Sequence, residues 1–161
     1  MLTTIKKSIQ SLGTWVLCLL PMSSCFAMVS TDQVAVGGVG PGCTTDYVES
    51  VYGPPTYSQS VSADTGEQFL EYDYEGHFLV GFNTADSQVS YVTSTGDNLK
   101  TPAGITVGMT ADALTPAYGP ADNTYNYNDK TLYEYSDGNG HRLSFDVQNF
   151  YIISVNVRSG Q

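Results

Sequence analysis

Apolar positions along this chain change period twice, and in the same order each time. Val48, Val51 and Tyr52 recur at helical spacing, as do Leu114, Ala117 and Tyr118 further on. Thr44 and Thr110 precede these stretches as N-cap residues, with Asp46 and Asp112 in the first turn, where the helix dipole favours negative charge. Gly53 and Gly119 end both stretches, each followed directly by proline. Pro116 lies inside the second helix and removes a backbone donor, so that helix is expected to be short or kinked. The period then shortens to two. Leu70-Glu-Tyr-Asp-Tyr74 alternates, followed by Phe78, Val80 and Phe82, then Val89, Tyr91 and Thr93. The second half follows suit with Tyr133 and Tyr135, then Leu143, Phe145 and Val147, then Ile153, Val155 and Val157. Glu75-Gly76 and Asp137-Gly-Asn-Gly140 supply hairpin turns, and residues 57–61 and 123–127 are weaker strand candidates.

The recurrence extends to residue identity. Residues 39–54 align without gaps on 105–120: Gly42 meets Gly108, Thr44 meets Thr110, Asp46 meets Asp112, and Tyr52-Gly-Pro54 meets Tyr118-Gly-Pro120. Gly76-His77 then answers Gly140-His141, with small gaps. The expected organisation is therefore α+β: two tandem units, each a short helix packed on a three- to four-stranded antiparallel sheet. The units are placed at 28–94 and 104–161, with a linker at 95–103.

Residues 1–27 read as an export signal. Lys6 and Lys7 lead into an apolar run over Leu12–Met22, too short for a membrane helix of about 20 residues, and small residues precede a cut after Ala27. Met22-Ser-Ser-Cys25 also resembles a lipoprotein box, which makes Cys25 a candidate for acylation and tethering to the outer membrane. Removal of the signal leaves Lys100, Lys130, Arg142 and Arg158 against 16 acids, a net charge of −12, with Cys43 as the remaining cysteine. That chain cannot form an internal disulfide, and Cys43 is expected to be a small buried hydrophobe.

Composition then narrows the function. With 14% charged and 12% aromatic residues the chain is not of the disordered type, and its acidity excludes nucleic acid as a partner. His77 and His141, at equivalent places after a turn glycine, read as structural rather than as a metal pair. Asp129 and Asp137–His141 resemble part of a calcium loop but lack its terminal glutamate. The row Glu71-x-Asp73-x-Glu75 reads as a solvated acidic strand face rather than a glycosidase pair, and residues 36–42 as a flexible glycine-rich lead-in without a phosphate-loop lysine. No nucleophile elbow occurs, so no catalytic residue, metal ligand or cofactor is expected.

The string Gly-x-Thr-x-Asp-x-Val/Leu, with Tyr-Gly-Pro following, resembles the helix-opening motif of β-lactamase inhibitory proteins, and in motif that of the small outer-membrane lipoproteins of the SmpA/OmlA type. The resemblance covers residues 36–159 and implies a tandem helix-plus-sheet fold. The inhibitory proteins carry disulfides that Cys43 alone cannot supply. The expected function is an exported, non-enzymatic protein-binding module, with inhibition of an extracytoplasmic enzyme as one form of it. The alternatives are an envelope-assembly or stress lipoprotein acylated at Cys25 and, in third place, a small hydrolase. The sheet faces turned away from the helices are expected to form the binding surface, through Glu71, Asp73, His77 and Leu79 of the first unit and Glu134, Arg142, Ser144 and Asp146 of the second. Such a surface suits an extracytoplasmic protein with a basic face; a membrane enters only through lipidation.

Overall fold

The computed structural model describes residues 28–160. Residues 1–27, on which the expected export signal and Cys25 fall, lie outside the described residues. Helix α1, Thr45–Tyr52, starts where the Thr44 hydroxyl accepts the Tyr47 N–H and stops at Gly53, whose φ of 77° suits glycine. Four strands follow: β1 (Tyr57–Ser62), β2 (Gln68–Tyr74), β3 (Phe78–Asn83) and β4 (Val89–Ser94). In the second half a 3₁₀ turn at Ala111–Ala113 runs into helix α2, only Leu114–Tyr118, as Pro116 requires. Then come β5 (Asn123–Tyr127), β6 (Lys130–Ser136), β7 (Arg142–Gln148) and β8 (Tyr151–Arg158).

All eight strands join one antiparallel sheet in the order β1-β2-β3-β4-β8-β7-β6-β5. The two halves meet through their last strands, with Tyr91 opposite Arg158 and Ser94 opposite Val155. One sheet face is dry. Val48 of α1 and Leu114 and Tyr118 of α2 pack there against Val80, Phe82, Leu143, Phe145, Val155 and Val157, all 5% exposed or less. Tyr52 sits 5.0 Å from Phe78, and Tyr118 sits 5.2 Å from Tyr135, centroid to centroid. The halves also repeat their backbone ties: Val89 N–H donates to the Cys43 carbonyl, and Ile152 N–H to that of Met109.

Residues 95–103 are built into this core. The Lys100 carbonyl accepts from Gly37 N–H, and the Tyr118 hydroxyl donates to Thr101 Oγ1 at 2.6 Å with both groups buried. Tyr118→Phe leaves Thr101 without that partner, so urea unfolding should show a loss of about 1 kcal/mol at unchanged slope.

Several sequence expectations are corrected. Val51 is 52% exposed, because at three residues from Val48 it lies past the edge of an eight-residue helix's buried stripe. The stretch 36–42 is no loose lead-in: Val36 and Val39 bridge to each other and are fully buried, and the Tyr52 hydroxyl donates to the Gly37 carbonyl. Cys43 is half-buried, not buried. Two strand sets are also divided differently. Gly81 pairs with Tyr91 but Phe82 with Val89, which makes Ser90 a bulge; Asp146 pairs with Ser154 but Val147 with Ile152, which makes Ile153 one too. Val89 therefore turns inward with Val92, whereas Tyr91 and Thr93 turn to the other face, and Ile152 replaces Ile153 in the core.

Candidate functional site

The sheet face opposite the helices carries the functional candidates. Side chains directly opposite in an antiparallel ladder share a face, so register alone places them. One row runs Gln59–Glu71–Gly81–Tyr91–Arg158–Arg142 from β1 to β7, and the next runs Tyr57–Asp73–Leu79–Thr93–Asn156–Ser144–Glu134–Asn123 from β1 to β5. Glu71, Asp73, Leu79, Glu134, Arg142, Ser144 and Asp146 thus share the open face. His77 precedes β3 in the turn and lines a separate hollow of about 850 Å³ with Tyr52, Tyr74 and Leu99. Glu75 also leaves the strand row: with Gly76 it forms the hairpin turn, both at positive φ.

The carboxylates of this face are already engaged. Glu71 accepts from Gln59 Nε2 at 2.7 Å and from the Tyr91 hydroxyl at 2.6 Å. Asp73 accepts from Gly76 N–H at 2.7 Å, and Asp146 accepts from Ser154 at 2.6 Å, from Asn156 and from the Tyr127 hydroxyl. Glu134 holds Asn123 at 3.0 Å and lies 3.9 Å from the Arg142 guanidinium. These acids set a negative potential over the face and brace the sheet internally. Two phenols register that role. The bond to Asp146, aided by desolvation, pushes the Tyr127 hydroxyl up to about 12. Burial and the Glu71 carboxylate hold the Tyr91 hydroxyl far above the ordinary phenol value, against the pull of Arg158.

Four tyrosines also stand exposed on this face. Tyr57 is 59% exposed on edge strand β1, Tyr125 and Tyr127 are 50% and 41% exposed on edge strand β5, and Tyr151 is 54% exposed on β8. Tyr127, Lys130, Gln148 and Tyr151 form one cross-strand row. None of these four was expected at the surface from sequence; alternation in 57–61 and 123–127 was the signal that could have placed Tyr57, Tyr125 and Tyr127 there.

No protein-family model and no curated sequence matches this chain. The fold is similar to that of the uncharacterized protein yfeY of Escherichia coli, at 12% identity over 81% of this chain and 100% of that one, with a TM-score of 0.53. Looser superpositions are with the DUF4309 family protein YjgB of Bacillus subtilis (TM-score 0.45, 20% identity, 73% of this chain and 79% of that one) and with a candidate beta-lactamase inhibitor protein of Streptococcus mutans (TM-score 0.33, 13% identity, 84% and 92%). The likeness to yfeY concerns the fold alone.

Two chemical candidates resolve into structure. Asp137, its side chain fully buried, accepts from Thr31 Oγ1 at 2.6 Å, from Asn139 N–H at 2.8 Å and from His141 N–H at 3.2 Å, and lies 2.7 Å from His141 Nδ1. The Thr31 hydroxyl meets the carboxylate and not the imidazole, so the string ties residue 31 to the β6–β7 turn. Its oxygens are spent on these donors, and among the described residues no group of three or more His, Cys, Asp or Glu could hold a metal ion. No helix among the described residues is long and apolar enough to cross a membrane.

Proposed function

We propose that this chain is an exported, non-enzymatic protein that binds another extracytoplasmic protein on its open sheet face. The observation that supports this most is the set of exposed tyrosines, Tyr57, Tyr125, Tyr127 and Tyr151, standing beyond a half-buried polar network on one face. Tyrosine offers large contact area at small entropic cost and is enriched at interaction hot spots. The braced carboxylates beneath add a negative potential that favours a partner with a basic surface. Inhibition follows where the bound surface includes an enzyme's active-site entrance, the role borne in name by the S. mutans protein.

The test is affinity capture from the secreted or periplasmic proteins of the host, with the wild-type chain and with a Tyr125→Ala/Tyr127→Ala variant. Recovery of the partner should fall roughly tenfold or more with the variant. Equal recovery by a folded variant would remove this face from the interaction. The mass of the mature protein checks the export reading: a chain starting at Met28 fits a free binder, and one starting at a lipid-modified Cys25 fits the envelope-lipoprotein alternative.

A further inference from the structure

We infer that a hollow at one corner of the open face is a binding site for a small organic monoanion with an apolar body, an aryl or alkyl carboxylate being the simplest example. The hollow measures about 590 Å³ and lies between the β1–β2 hairpin and the ends of β7 and β8. It exists because Gly81 has no side chain. A Cβ there would lie 2.1 Å from the Tyr91 ring, so the ring lies across β3 and its hydroxyl reaches Glu71. Tyr91 becomes a floor instead of a post, and Phe69, 5.9 Å away and edge-on to it, forms an apolar wall with Val61.

The opposite wall is cationic. The β7–β8 register sets Arg142 directly across from Arg158, an arrangement in which like charges repel. Residues 28–160 hold only four Lys or Arg side chains, and two of them meet here. Neither has its charge well answered. Arg142 is 57% exposed with its carboxylate neighbour Glu134 at 3.9 Å, and Arg158 rests 5.9 Å above the Tyr91 ring. Among the described residues neither guanidinium donates a hydrogen bond to a protein acceptor, so each keeps N–H donors open to a carboxylate in the hollow. Glu67 stands on the far rim, bonded by Thr65 at 3.0 Å. Its charge opposes a dianion, which selects a singly charged head over a phosphate monoester. An apolar body then lies on Tyr91 and Phe69.

Calorimetric titration at low salt tests this with 3-phenylpropionate, hexanoate, phenyl phosphate and the neutral 3-phenylpropionamide. Both carboxylates should bind saturably, one per chain, with the amide weaker by about tenfold or more. Phenyl phosphate should bind more weakly than 3-phenylpropionate. Arg142→Gln and Arg158→Gln should each weaken the carboxylates about tenfold, whereas Arg142→Lys retains part of the affinity. The Tyr125→Ala/Tyr127→Ala variant should bind them as wild type does, which separates this site from the protein-binding face. Carboxylate and amide binding alike, no saturation by either carboxylate, or unchanged affinity in folded arginine variants would overturn the assignment. Tighter binding of phenyl phosphate would overturn the choice of a monoanion.

Discussion

Gly81→Ala should destabilise the fold by about 2–3 kcal/mol, as a fall in urea midpoint at unchanged slope. The added methyl would meet the Tyr91 ring carbons at 2.1–2.6 Å, well inside contact distance. The ring must then lift from β3, breaking its hydroxyl bond to Glu71 and its edge contact with Phe69. The cause is steric and pairwise, so it is separable by a double-mutant cycle. In a Tyr91→Ala background, Gly81→Ala should cost little, because the obstruction is gone. Additive losses in the cycle would show that the glycine serves the backbone rather than the ring. The φ of Gly81 is not in the left-handed region, which already argues against a backbone role.

Asp137→Ala should cost about 2–3 kcal/mol, since it strips the partner from a hydroxyl, an imidazole and two backbone N–H groups around a buried site. Limited proteolysis should then cut near residue 31 ahead of global unfolding, because that bond bridges 106 positions of sequence. The carboxyl also carries a pH signature. Burial alone would raise its pKa, but the Thr31 and His141 bonds and the Asn139 N–H outweigh it, and the folded value falls well below the ordinary 3.8. A depressed folded pKa means that the stabilisation is complete above about pH 5 and is lost as pH falls through the acid range. Wild type should therefore lose stability between about pH 5 and pH 2 more steeply than Asp137→Ala does. Parallel curves for the two proteins would show that Asp137 is not the group responsible.

Legibility in the sequence tracked the range of the interactions involved. Thr44, Gly53, Pro116 and Glu75-Gly76 act on their own neighbours, and each does in the structure what its chemistry predicts. Seven of the eight residues expected on the binding surface lie on the open face, since period-two alternation survives within β2, β3, β6 and β7. Tyr91 was misplaced because Ser90 bulges, and a bulge inverts the facing of everything beyond it without any mark in hydrophobicity. The same event at Ile153 exchanged Ile152 for its neighbour. Arg158 was passed over for a different reason: its significance lies in standing across from Arg142 and above Tyr91, contacts 16 and 67 positions away.

The sequence by itself determined the α+β class, the recurring helix-then-strands order, the acidity and the outward side of most strands, because capping, turn chemistry and periodicity are local forces. Tertiary structure alone decided that the two halves share one sheet through β4 and β8, that the open-face acids are held by their neighbours, and that Tyr91, laid over Gly81, frames a hollow with two arginines. Those outcomes depend on strand register across long loops, where backbone pairing and side-chain bulk are settled jointly and no single segment carries the information.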